Sequence, residues 1–146
     1  MRSFPYPITF GGMERAKIPR VVAIVDDDES MRLAVGGLLK AVGLRALAFE
    51  SAEEFLQSGE LPHVACLIAD IHLPGMSGLE LQSHLNAQHR RMPTVFITAD
   101  GDRDMWRQAS KAGAAGFLTK PFDEEVLLEN IRSALHWGDS GPVSGR

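Results

Sequence analysis

Five times along this chain a short apolar run gives way to a segment whose apolar residues recur every three or four positions. The runs are Arg20–Val25, Leu44–Phe49, Val64–Ala69, Thr94–Thr98 and Gly116–Leu118. Each is long enough for a strand and too short for a helix. Their apolar residues are continuous rather than alternating, which predicts strands buried on both faces. Strands of that kind, separated by amphipathic helices, predict an α/β fold: a doubly wound, five-stranded parallel sheet with five helices and strand order 2-1-3-4-5.

The intervening segments carry helix signals. Met31, Val35, Leu38, Leu39 and Val42 share one helical face, and Gly43 follows as a stop. Gly36 and Gly37 lie inside that helix at a cost of about 1 kcal/mol each, which predicts close packing there. Ser51-Ala52-Glu53-Glu54 and Ser77-Gly78-Leu79-Glu80 both read as capping boxes, the second opening a helix to about His89. Asp102 is a candidate cap for a helix that places Met105, Trp106, Ala109 and Ala112 on one face, with Trp106 at the edge of the core. Asp123 is a candidate cap for a last helix with Val126, Leu127, Ile131 and Leu135 inward.

The sheet accounts for residues 20–138. Residues 1–19 are punctuated by Pro5, Pro7, Gly11, Gly12 and Pro19 and read as a flexible extension, although Phe4, Tyr6, Ile8 and Phe10 alternate and could dock on a surface. Residues 139–146 read as a tail or the start of a linker. The net charge is −4, so nothing marks a general binder of nucleic acid or membrane surface. That charge is uneven: residues 1–20 carry four basic side chains against Glu14, leaving −7 on the remainder. Cys66 is the only cysteine and sits in the apolar run VACLIA. It reads as a small buried hydrophobe in a reducing, cytoplasmic setting. No apolar stretch is long enough to cross a bilayer, and the N-terminus has no continuous apolar signal core.

Ligands of such sheets bind beyond the carboxyl ends of the strands. Asp26, Asp27 and Asp28 follow the first strand and Asp70 the third. Thr98 ends the fourth, and Thr119 and Lys120 follow the fifth. Carboxylates gathered on one edge raise one another's pKa or need a cation. Mg²⁺ suits an all-oxygen set beside a phosphate. His63, His72, His84, His89 and His136 form no cluster with Cys66 for a softer metal. A carboxylate nucleophile with a divalent ion, Lys120 and Thr98 around it is equipped for phosphoryl transfer to Asp.

The segments VVAIVDDDES, CLIADIHLPGMSGLEL, TVFITAD and GFLTKPF resemble, in order and spacing, the response-regulator receiver family. FESAEEFL and FLTKPFDEEVL are similar to FixJ-type receivers in particular. The resemblance implies a flavodoxin-like fold and a phosphorylation-activated switch. It implies Asp70 as phosphoacceptor, with Thr98 and Lys120 attending the phosphoryl group. The implied Mg²⁺ ligands are Asp26, Asp27, Asp70 and the backbone carbonyl of His72. It further implies a cis bond before Pro121, and flanking positions at His72 and Asp100 that influence phosphoryl lifetime. Asp28 reads only as an acid near a helix N-terminus.

Phe117 stands where the family has its rotating aromatic. It either turns inward as Thr98 moves or is a core residue that never moves. The implied partners are a sensor histidine kinase and a downstream protein or second copy. That contact would use the fourth helix, fifth strand and fifth helix, here Asp102–Ala112, Gly116–Leu118 and Asp123–His136. Direct nucleic-acid binding by this chain is not expected, since only GDSGPVSGR follows Trp137. A stand-alone receiver and an excised piece of a transcription regulator both remain open. The expected chemistry is confined to the protein's own phosphorylation and dephosphorylation. A flavodoxin-like electron carrier would need a Ser/Thr/Gly phosphate loop where DDDES stands. A hydrolase working through an aspartyl phosphate would need an Asp where His72 stands. The serious alternative is a degenerate receiver serving as a constitutive docking module.

Overall fold

The computed structural model describes residues 20–140 except Asp100 and Asp102, with side chains described as far as His136. The expectations for residues 1–19, for residues 141–146 of the tail, for Asp100 and for Asp102 as a cap lie outside the described residues; Asp139 and Ser140, expected in the tail, continue the last helix. The elements run β1 (Val21–Val25), α1 (Glu29–Ala41), β2 (Arg45–Phe49), α2 (Ala52–Gln57), a 3₁₀ turn (Leu61–His63), β3 (Cys66–Asp70), α3 (Gly78–Ala87), β4 (Thr94–Thr98), α4 (Arg103–Lys111), β5 (Gly116–Thr119) and α5 (Glu124–Ser140). All strand pairs are parallel, in the order β2-β1-β3-β4-β5, as the alternation predicts.

Pleating sends successive side chains to opposite faces and builds two cores. Val22, Ile24, Ile68, Val95 and Ile97 pack under α1 and α5 against Val35, Leu39, Leu127 and Ile131. Ala23, Val25, Leu67, Ala69 and Phe96 pack under α2, α3 and α4 against Phe55, Leu81, Leu85 and Ala109. Burial of a side chain such as Phe55 or Phe96 contributes roughly 1.5–3 kcal/mol. Cys66 belongs to the first core, and burial pushes its thiol up to about 12, so it is inert packing.

The helix ends follow local chemistry. Asp28 caps α1 by accepting from the Ser30 backbone N–H at 3.0 Å. Asp123 caps α5 by accepting from Glu125 N–H at 2.7 Å. Ser77 and Glu80 form the full reciprocal box of α3. At α2 only half of the expected box is present: Ser51 accepts from Glu54 N–H, but Glu54 Oε1 accepts from Glu50 N–H instead of Ser51. Gly43, at φ +85°, ends α1 in a Schellman turn, its N–H donating to Lys40 O and that of Leu44 to Leu39 O. Helix α3 stops at Ala87, short of the expected His89, and His89 itself takes the left-handed position at φ +60°.

Several inward assignments fail because helix period alone does not fix how a helix lies on its sheet. Val42 is a C-cap and 42% exposed, and Val126 is 43% exposed while Leu128 turns inward. Trp106 is 50% exposed rather than at the core edge. Gly36 and Gly37 are not close-packing sites: a Cβ at Gly36 would meet only Ile24 Cδ1 at 4.0 Å, and one at Gly37 would meet nothing within 4 Å.

Candidate functional site

Parallel pairing lines up the strand ends. Val25 pairs with Ala69, Asp70 with Ile97 and Thr98 with Thr119. Asp26, Asp70, Thr98 and Lys120 therefore arrive at one edge from β1, β3, β4 and β5. Lys120 is anchored there by its backbone N–H, which donates to Thr98 O at 2.8 Å, and its bond to Pro121 is cis.

Carboxylate oxygens of Asp26, Asp27 and Asp70 all lie within 4.8 Å of one another. Asp26 and Asp70 are buried and Asp27 is exposed. The Lys120 ammonium donates to Asp70 Oδ2 at 3.1 Å and to Asp26 Oδ2 at 3.2 Å. Burial pushes the Asp26 carboxyl above the usual carboxylate range, assisted by the charge of Asp70. The Asp28 N–H, donating to Asp26 Oδ1 at 2.9 Å, and Lys120 oppose that rise without cancelling it. Burial pulls the Lys120 ammonium down, but its bonds and charge pairing with Asp70 and Asp26 outweigh this and leave its pKa raised. Asp28, bonded to the Ser30 hydroxyl, is held below the usual range and serves the helix end rather than the cluster.

His72 reaches the site through its backbone, its N–H donating to Asp70 Oδ1 at 2.9 Å, while its side chain is exposed. Asp70 thus has one oxygen held by a loop amide and the other by Lys120. Thr98 is fully buried at the end of β4. Phe117 is half-buried, its ring centroid 6.5 Å from that of Phe96. It also lines an open cleft of about 530 Å³ with Gly101, Arg103, Trp106, Arg107 and Thr119.

Four residues that the sequence did not mark for the site shape this edge, Glu53 and Gly78 having read only as parts of capping boxes. Arg32 Nη1 donates to the Asp26 backbone carbonyl at 2.7 Å and so fixes the chain from which that carboxylate projects. Gly78 lies directly against the Asp70 backbone carbonyl, where a Cβ would collide. At Gly101 a Cβ would collide with Thr119 and crowd Phe117, with Thr98 in van der Waals reach. Glu53 holds the loop after β3 from across the helix layer. Arg32 carried a signal, being a cation one helical turn beyond an acid cluster. The other three arise from contacts between distant segments.

Oxygen donors alone, two of them buried and one open to solvent, fit a small hard cation that keeps some of its water. No helix among the described residues is long and apolar enough to cross a membrane.

Comparison with known proteins agrees with this geometry. The family model described as the response regulator receiver domain matches residues 22–132. Nodulation protein W of Bradyrhizobium diazoefficiens is 42% identical over 124 residues, covering 85% of this chain and 55% of that protein. The transcriptional regulatory protein FixJ of Azorhizobium caulinodans is 38% identical over 114 residues, covering 78% of this chain and 54% of that protein. The solved structure of the response regulator StyR superposes with a TM-score of 0.79 at 41% identity, covering 84% of this chain and 62% of that one. The chain spans little more than half the length of the curated relatives it matches. With the alignment of strand ends, the acid cluster and the family match over most of its length, this chain belongs to the response regulator receiver domain family.

Proposed function

We propose that this chain is a phosphorylation-activated switch in which Asp70 accepts a phosphoryl group from a sensor histidine kinase. The observation that carries the reading is the Lys120 ammonium bridging Asp70 and Asp26, which come from different strands. Receiver domains of two-component systems generally bind Mg²⁺ at such an acidic pocket. Here Asp26, Asp27, Asp70 and the His72 carbonyl would hold it, and when bound it supplies charge neutralisation for the transferring group.

The protein's own groups do the rest. An Asp70 oxygen forms the new O–P bond as the donor's P–N bond breaks, and the phosphohistidine imidazole leaves. Lys120 exchanges its hold on the carboxylates for one on the phosphoryl oxygens. Thr98 supplies a hydroxyl on the other side. Transfer adds nearly two negative charges at Asp70. Thr98 and Phe117 both lie beside Gly101, where an added Cβ would come within 3.6 Å of Thr98 and 3.2 Å of Phe117, which supports a packing switch in which their shift reaches the Trp106 cleft. The face formed by α4, β5 and α5 then engages a downstream protein or a second copy. The exposed Trp106 of α4 and Val126 of α5 support that reading.

Intact mass after incubation with acetyl phosphate and Mg²⁺, beside Asp70→Asn, tests it. A single hydrolysable adduct on the wild type alone, with a shift in size-exclusion elution, is expected. No adduct under any condition would leave a docking module in place of a switch.

A further inference from the structure

Glu53 stands apart from the carboxylate cluster, in the first turn of α2, yet it grips the loop that leaves the phosphoacceptor. Its Oε2 accepts from the Met76 backbone N–H at 2.8 Å, a contact spanning 23 positions of sequence. The preceding residue, Gly75, has φ +76°, and a Cβ there would come within 2.7 Å of the same oxygen. The carboxylate is therefore seated on a bare glycine backbone. At the start of the loop His72 N–H donates to Asp70 Oδ1, and at its end Gly78 N–H donates to Ile71 O at 2.9 Å. Between these ties lie Pro74 and Gly75, and Glu53 supplies the hold on that stretch from a neighbouring helix.

We propose that Glu53 is a positioning residue for phosphoryl transfer, holding the loop from which His72 presents its backbone to the metal and the incoming donor. This rests on the reading of the site given above. Glu53 is also an acid in the first turn of a helix, where its charge alone is favourable. Glu53→Gln separates the two roles, because it discards the charge and keeps an acceptor oxygen.

The test compares the wild-type chain with Glu53→Ala and Glu53→Gln in three measurements. These are exchange of the Met76 amide without metal, Mg²⁺ affinity by calorimetry, and the acetyl phosphate reaction rate against Mg²⁺ concentration. Glu53→Ala should speed Met76 exchange, weaken Mg²⁺ binding about tenfold and slow the reaction at low Mg²⁺ with recovery at saturation, while Glu53→Gln stays within about twofold of wild type. Unchanged Met76 exchange and Mg²⁺ affinity in Glu53→Ala, beside a wild type that binds Mg²⁺, would overturn the inference and leave the site standing. A Glu53→Gln variant as impaired as Glu53→Ala would overturn it in favour of helix electrostatics. A wild type that binds no Mg²⁺ would overturn the reading of the site, and this inference with it.

Discussion

Lys120 Nζ lies 3.1 Å from Asp70 Oδ2 and 3.2 Å from Asp26 Oδ2, so one cation holds two buried carboxylates in place. Each of those carboxylates comes from a different strand. Under the proposed function, the same ammonium that bridges the carboxylates would meet a phosphoryl group on Asp70.

Removing that cation should cost stability in a metal-dependent way. Lys120→Met leaves Asp26 and Asp70 facing each other with only the Asp28 and His72 backbone amides and no cation between them, a loss of about 1–3 kcal/mol. Urea denaturation in EDTA should show the full loss, and millimolar Mg²⁺ should restore part of it. An equal loss in both conditions would mean that the carboxylates do not share a cation site.

The raised pKa of Asp26 sets a direction for pH dependence. The folded state holds the proton on this carboxyl more tightly than the unfolded chain, whose value is near 3.8. Stability attributable to Asp26 is thus intact below that value and declines as pH rises through the folded pKa. In metal-free buffer Asp26→Asn should be more stable than wild type at pH 7, with the gap closing toward pH 4. Denaturation curves at the two pH values check this. Mg²⁺ binding, measured in parallel, should be weakened.

Gly78 opens α3 against the backbone of Asp70, where a methyl group has no space. Gly78→Ala should destabilise the fold by roughly 1–3 kcal/mol through overpacking and displace Asp70, the proposed phosphoacceptor. Thermal melts should fall, and the reaction with acetyl phosphate should slow even at temperatures where the variant is folded.

His89 occupies the left-handed turn after α3, with its N–H donating to Asn86 O and that of Arg90 to Leu85 O. Its side chain is exposed, so nothing in packing requires it. His89→Gly should stabilise the protein by about 0.5–1 kcal/mol, since a side chain is costly at that φ. The gain should show as a higher urea midpoint with an unchanged slope.

The strand–helix alternation was legible in the sequence because buried parallel strands leave continuous apolar runs, and these are local, while the strand order followed from the doubly wound fold that such an alternation predicts. Asp26, Asp70, Thr98 and Lys120 were legible as neighbours for a related reason: each sits at a strand's carboxyl end, and parallel pairing brings those ends together. Tertiary structure decided what local pattern cannot carry. It placed Asp26 inside and Asp27 in solvent, though the two are adjacent in sequence. It turned Trp106 and Val126 outward, because a helix's seating on its sheet depends on the whole layer beneath it. It also joined Glu53 to Met76 and Gly78 to Asp70. Those contacts depend on how closely separate segments approach, a distance set only once both cores are packed.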